Sequence, residues 1–214
     1  MQLTVGFDLD MTLVDTRAGV RRSMVQLAAE LGVPIDADVV VSRLGPTLED
    51  ELAEWMPTED VPAAAERFRV LMAEFGAAEC CALPGAVEAV RAVRSAGGRV
   101  VVVTAKKASL AEITLAAGGI EVDAIHGWLW SEGKGAALRD EGASVYVGDH
   151  PHDVLGARFA GAVSVGVRTG GTTPDDADVL LDDLTAFPHW YAGHLLDVRL
   201  NALSARLREL GSVL

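Results

Sequence analysis

The sequence predicts an α/β fold: a parallel sheet flanked by helices, opened near its start by an insertion that is helical throughout. Three observations predict it. A run of strand formers at residues 3–9 carries two aspartates at its exit, and from Leu83 onward short apolar runs alternate with helical stretches. Between them, residues 16–80 hold helix formers and no convincing strand.

Taken in order, Leu3, Val5, Phe7 and Leu9 alternate with smaller or polar residues, which marks a central buried strand. Residues 13–16 read as a loop into a helix, with Asp15 or Thr16 at the cap. Val20, Met24, Leu27, Ala28 and Leu31 then recur at helical spacing until Gly32 ends the run. Helical stretches at 34–43, 47–55 and 61–75 follow, broken at Gly45-Pro46 and Met56-Pro57. After Leu83 the expected order is helix 86–96, strand 99–104, helix 109–117, strand 124–128, helix 135–141, strand 144–149, helix 154–159, strand 162–167 and a short apolar stretch at 178–181. Residues 189–210 carry Leu195, Val198, Leu203, Leu207 and Leu210 at helical spacing and are expected to pack on the core or on a second subunit. The domain layout is therefore a core from 1–15 and 81–188, a helical insertion at 16–80, and a terminal helix at 189–214.

Bulk properties narrow the function. The chain has 214 residues, half of them apolar, enough for a sizeable core. Eighteen basic against thirty-one acidic residues give a net charge of −13, which argues against nucleic acid or an anionic membrane as the main partner. No export signal and no bilayer-spanning run is visible. The only cysteines, Cys80 and Cys81, are adjacent and suit a reducing compartment, so a cytoplasmic protein acting on a small molecule is expected.

The chemistry gathers at strand ends. Asp8 and Asp10 are two residues apart, so their carboxylates lie close together where the strand opens, and like charges that close call for a cation such as Mg²⁺ or a raised pKa. Asp8, facing such an ion, can also serve as a nucleophile. Thr104 ends a second strand and Asp149 a later one, with Asp153 just beyond. Ligands of open parallel sheets bind outside the carboxyl ends of the strands, so these groups are expected in one cleft. Lys134, before the helix that leads to the Asp149 strand, can bring an ammonium to the same edge.

Four stretches stand in a recognisable order: Asp8-Leu9-Asp10-Met11-Thr12, Thr104, Lys134, and Gly148-Asp149-His150-Pro151-His152-Asp153. With them the chain resembles the haloacid dehalogenase superfamily, and within it the phosphoglycolate-phosphatase-like branch. The resemblance spans residues 3–153 in motif and extends to Leu184 in strand rhythm. It implies a Rossmann-like core with a helical cap and a Mg²⁺-dependent phosphatase acting on a small phosphomonoester. It implies that Asp8 attacks phosphorus and that Asp10 is the acid and base. Thr104 and Lys134 hold the phosphoryl oxygens. The resemblance places Mg²⁺ on Asp8, the Asp10 main-chain carbonyl and Asp149, with Asp153 in support. Main-chain amides around Leu9, Met11, Thr12 and Ala105 complete the phosphate cradle.

Two positions depart from the family pattern: Met11 stands where Gly is frequent, and Ala105 where Asn is common. Lys106 is a further candidate phosphate contact. The insertion is expected to close over the cleft, with hinges at 14–16 and 81–84, and Arg17 and Arg43 are the candidates for reading the rest of the substrate. Trp128 and Trp130 are expected to be packing residues. Asp10 separates this chain from the dehalogenases and phosphonate-cleaving members, which lack it. A phosphomutase of the β-phosphoglucomutase kind keeps both aspartates and stays open, as does a non-catalytic phosphate-binding protein. A homodimer through the cap or the C-terminal helix is also open.

Overall fold

The computed structural model describes residues 3–45 and 47–211, with side chains through residue 206; Pro46 of the expected break and the side chains of Leu207 and Leu210 lie outside the described residues. The first strand, β1 (Thr4–Phe7), is buried along its whole length and pairs in parallel on both sides. Its neighbours are β4 (Arg99–Val103) and β6 (Ala143–Gly148), with Phe7 opposite Val102 on one side and Val147 on the other. Outside them lie β5 (Ala124–His126), then β7 (Val163–Val167) and β8 (Val179–Leu181), giving the order β5-β4-β1-β6-β7-β8. The strands that follow β1 thus go first to one side of it and then to the other. That reversal opens a crevice above the carboxyl end of β1.

The near-continuous apolar runs of β1, β4 and β6 are explained by burial on both faces. Alternate residues of β4 go to opposite sides: Val100 and Val102 join one cluster, Val101 and Val103 the other with Leu138, Tyr146 and Ala157. The helices on these faces are α5 (Ala86–Ser95), α6 (Ala108–Ala117), α7 (Glu132–Asp140) and α8 (Pro151–Ala160).

A two-stranded antiparallel ribbon, β2 (Val14–Asp15) with β3 (Cys81–Ala82), ties together the two points where the chain leaves and re-enters the sheet layer. Everything between is helical: α1 (Arg17–Leu31), α2 (Ala37–Ser42), α3 (Leu48–Ala53) and α4 (Val61–Leu71). Each end has a local cause. Gly32 closes α1 in the left-handed conformation, the Asp36 carboxylate takes the amides of Asp38 and Val39, and Thr47 takes that of Asp50. The helical stretch expected at 61–75 is helical throughout, as α4 and then a wider turn. After Leu71 the chain widens into a π turn, Met72–Gly76, and tightens into a 3₁₀ turn, Ala77–Glu79. The cause is tertiary: Gly76 abuts Gly19 of α1 so closely that a Cβ on Gly19 would strike the Gly76 carbonyl.

The last helix, α9 (Phe187–Gly211), docks by its first turns, where Phe187 and Tyr191 are buried and the Phe187 ring lies 5.5 Å from that of Phe7. Further along, Leu196, Leu200 and Leu203 are exposed. No described helix is long and apolar enough to cross a membrane.

Gly85 begins α5 at φ +80°, and a Cβ there would run into the backbone of Leu184 and Thr185 just before α9. Gly85→Ala should therefore cost about 2 kcal/mol or more of unfolding free energy, read from urea titration.

Candidate active site

The Asp8 amide donates to the Val147 carbonyl at 2.8 Å, so the pairing of β1 with β6 continues until Asp8 clears the sheet. The chain then curls. The amides of Thr12, Leu13 and Val14 all donate to the Leu9 carbonyl, at 3.3, 3.0 and 3.0 Å, and the Met11 amide donates to the Val14 carbonyl at 2.9 Å. In this curl the amides of Met11 and Thr12, expected at the phosphate, donate to carbonyls of the loop itself. Met11 instead lends its side chain to the cavity wall. The Thr12 hydroxyl, fully buried, donates to Asp149 Oδ1 at 2.9 Å and so orients a carboxylate. Thr169 donates its hydroxyl to the Met11 carbonyl from the loop after β7, and Gly170 follows because a Cβ there would collide with the Asp149 carboxylate.

Asp149 leaves the end of β6, and α8 starts two residues later with His150 as its cap. The His150 ring nitrogen Nδ1 accepts the His152 amide at 3.2 Å, and Asp153 Oδ2 accepts the His150 amide at 3.1 Å. That first turn points Asp153 back at the sheet, where its Oδ1 takes the Lys134 ammonium at 2.7 Å and the Tyr146 hydroxyl at 3.2 Å. Lys134 comes from the first turn of α7. Only 1% exposed, it also stands 3.1 Å from Asp8 Oδ1.

Carboxylate oxygens of Asp8, Asp149 and Asp153, all buried, lie within 4.8 Å of one another. Against one ammonium, three carboxylates leave two negative charges uncompensated, the charge of one divalent cation. Three buried hard oxygen donors this close together suit Mg²⁺. The Asp10 side chain is outside this group: its Oδ1 pairs with Lys106 Nζ at 2.8 Å. The electrostatics carry the same message. Burial, opposed by Lys134 and reinforced by Asp153 and Asp10, pushes the Asp8 carboxyl up to about 7. Burial, with Asp153 and Asp8, also holds Asp149 well above the ordinary carboxylate range. Burial alone would lower Lys134, but Asp153 and Asp8 outweigh it and keep it charged.

Above these groups lies a cavity of ≈ 440 Å³ between the strand ends and the helical insertion. Asp8, Asp10, Thr104, Ala105, Lys106 and Asp149 form its floor. Thr104 is buried, its hydroxyl accepting the Lys106 amide at 3.2 Å. Arg43 reaches the wall, but both arms of its guanidinium are taken by Glu51, at 2.9 and 2.8 Å. Arg17 does not belong here. It is exposed and doubly bonded to Asp15, at 2.9 and 2.6 Å, because a carboxylate two residues away captures it before it can reach the cleft. Trp128 and Trp130, expected as packing residues, line the cavity, as does Arg69. Their place was marked in the sequence by their position just past a strand end, the edge where such sheets bind ligands.

The chain matches the family model described as haloacid dehalogenase-like hydrolase over residues 5–158 and a second, HAD-hydrolase-like model over residues 131–198. It is 31% identical over 190 residues to a phosphoglycolate phosphatase of Caulobacter vibrioides, covering 79% of this chain and 80% of that one. It is 29% identical over 198 residues to a probable phosphatase, IndB, of Dickeya dadantii, covering 82% and 85%. Among solved structures, a haloacid dehalogenase-like hydrolase family protein of Streptococcus pneumoniae superposes with a TM-score of 0.76 at 22% identity, over 91% of this chain and 98% of that one.

A carboxyl whose pKa is raised on folding keeps a proton that the unfolded chain releases, so the metal-free fold loses stability as pH climbs from the ordinary Asp value through about 7. A divalent cation such as Mg²⁺ at this cluster would take the ionised form. Its stabilisation, measured as the shift in thermal midpoint at saturating Mg²⁺, should be larger near pH 8 than near pH 5.

Proposed function

The chain belongs to the haloacid dehalogenase-like hydrolases, in their phosphoglycolate-phosphatase-like branch, and from that premise we propose a Mg²⁺-dependent phosphomonoesterase that works through an aspartyl phosphate on Asp8. That it is a phosphatase of small phosphorylated molecules follows from the family. The observation that carries the mechanism is Asp8 Oδ1: buried, 3.1 Å from a buried ammonium and at the floor of the cavity.

Asp8 attacks phosphorus while the bond to the ester oxygen breaks, and Asp10 gives that oxygen a proton. Asp10 then takes a proton from water, the water attacks phosphorus, the bond between phosphorus and the Asp8 oxygen breaks, and inorganic phosphate leaves with the Asp8 carboxylate regenerated. Lys134 serves twice. Its charge favours the ionised, nucleophilic form of Asp8 against burial, and it stabilises the phosphoryl oxygens with the Thr104 hydroxyl. Lys106 holds Asp10 before substrate arrives; a phosphate dianion gives that ammonium a second partner and frees Asp10 to exchange its proton. Mg²⁺, when bound by Asp8, Asp149 and Asp153, supplies the positive charge that lets three carboxylates and a phosphate share the site. The helical insertion acts as a cap, entered and left through the β2–β3 ribbon, and excludes bulk water from the cleft.

Purified protein should release phosphate from a panel of phosphate esters with Mg²⁺ and lose that activity in excess chelator. Asp8→Asn should lower kcat by about 10³-fold or more. Asp10→Asn should lower it by about 10² to 10⁴-fold on alkyl esters, with a burst of p-nitrophenol from the activated aryl ester as the phosphoenzyme accumulates. Isomerisation of a sugar 1-phosphate without free phosphate would instead identify a mutase.

A further inference from the structure

Three non-glycine residues among those described have positive φ, and two of them, Met11 at +57° and Trp128 at +58°, put their side chains into the same cavity wall. Bulky residues avoid this conformation, and where they keep it the surroundings enforce it for a use. At Trp128 the enforcement is visible. Its amide donates to the Lys106 carbonyl and that of Leu129 to the Thr104 carbonyl, both at 3.0 Å, which ties the loop after β5 to the loop after β4. Lys107 and Arg69 lie over the indole at 5.2 and 5.7 Å from the ring centre, yet the residue remains 59% exposed. It is held but not covered.

The far side of the cavity is apolar as well, with Val20, Met24, Leu48, Phe68 and Leu110. Its two arginines are already neutralised, Arg43 by Glu51 and Arg69 by Glu49 and Glu66. A small acid such as phosphoglycolate would therefore set its second carboxylate against hydrocarbon and paired arginines, with Lys107 beside Trp128 as the one lining cation that has no carboxylate partner among the described residues. A volume of ≈ 440 Å³ is also in the range, about 300–1,000 Å³, that larger organic ligands fill.

We propose that the ester hydrolysed here carries an aromatic ring on its alcohol half, stacked on Trp128 and bounded by Met11. This rests on the phosphatase reading above and names the substrate class for it. An indole face offers offset stacking in addition to burial of apolar area, which a saturated chain would not exploit.

The test compares kcat/KM for 2-phenylethyl phosphate and ethyl phosphate. Their leaving alcohols are of similar acidity, so the ratio reads the ring and not leaving-group reactivity. The ring-bearing ester should win by about 10- to 100-fold. Trp128→Ala should collapse the ratio to within about threefold and Trp128→Phe should restore most of it. A nucleoside 5′-monophosphate in the series assigns the ring: parity with 2-phenylethyl phosphate points to a nucleobase, a much lower value to a carbocycle. A ratio near one, phosphoglycolate outperforming the ring-bearing ester, or a ratio untouched by Trp128→Ala would overturn the proposal. If no ester is hydrolysed, the phosphatase reading fails by itself. The subsite is then decided by calorimetry on the Asp8→Asn protein with Mg²⁺: binding of 2-phenylethyl phosphate about tenfold tighter than ethyl phosphate supports it, and equal binding overturns it.

Discussion

The rest of this structure depends on the ammonium of Lys134, buried among acids. Its contacts with Asp8 and Asp153 are the only direct charge compensation the carboxylate cluster receives from the described side chains. Removing one partner of such a buried group typically costs about 3–5 kcal/mol, because the others are left uncompensated. Much of the surrounding architecture reads as a consequence of holding this cluster still. Asp153 is bound by Lys134, Tyr146 and the His150 amide, and Asp149 by Thr12. The Thr12 loop is closed onto the Leu9 carbonyl and pinned by Thr169.

The helical insertion answers a different constraint. Its apolar residues do not form a separate core: Met24, Leu27, Leu52 and Phe68 belong to one cluster with Val5, Phe7, Val100 and Val145 of the sheet. An insertion that shares hydrophobic surface with the core and is entered and left through the β2–β3 ribbon encloses a cavity with an ionic floor and an apolar roof. Two chemistries are thus kept apart in one pocket. The floor carries the charged groups, and the roof is largely apolar.

How much of this could be read from the chain alone varied by element. The strands were legible because burial on both faces requires unbroken apolar runs, and Val100–Val103 and Val145–Val147 are such runs. The change from α to π winding after Leu71 was not, since Leu71 and Met72 continue the helical pattern while the close approach of Gly19 and Gly76 is a tertiary contact. Arg17 and Arg43 looked alike as free cations, and their separate fates turned on which carboxylate stood nearest. Trp128 looked like an ordinary packing residue because exposure is a property of the fold, not of the letter W.

By itself the sequence determined which groups the site contains and which ends of the sheet carry them, because motif order and strand rhythm are local and a parallel sheet sends consecutive strand ends to one edge. It also determined that the site is an acidic, oxygen-rich one. Only the tertiary structure decided how those charges divide among partners: Lys134 to Asp8 and Asp153, Lys106 to Asp10, Thr12 to Asp149. It alone decided that Met11 and Trp128 share one wall. Pairings of this kind join residues far apart in the chain, and their energies depend on distance and burial, which come into existence only when the strands are laid side by side.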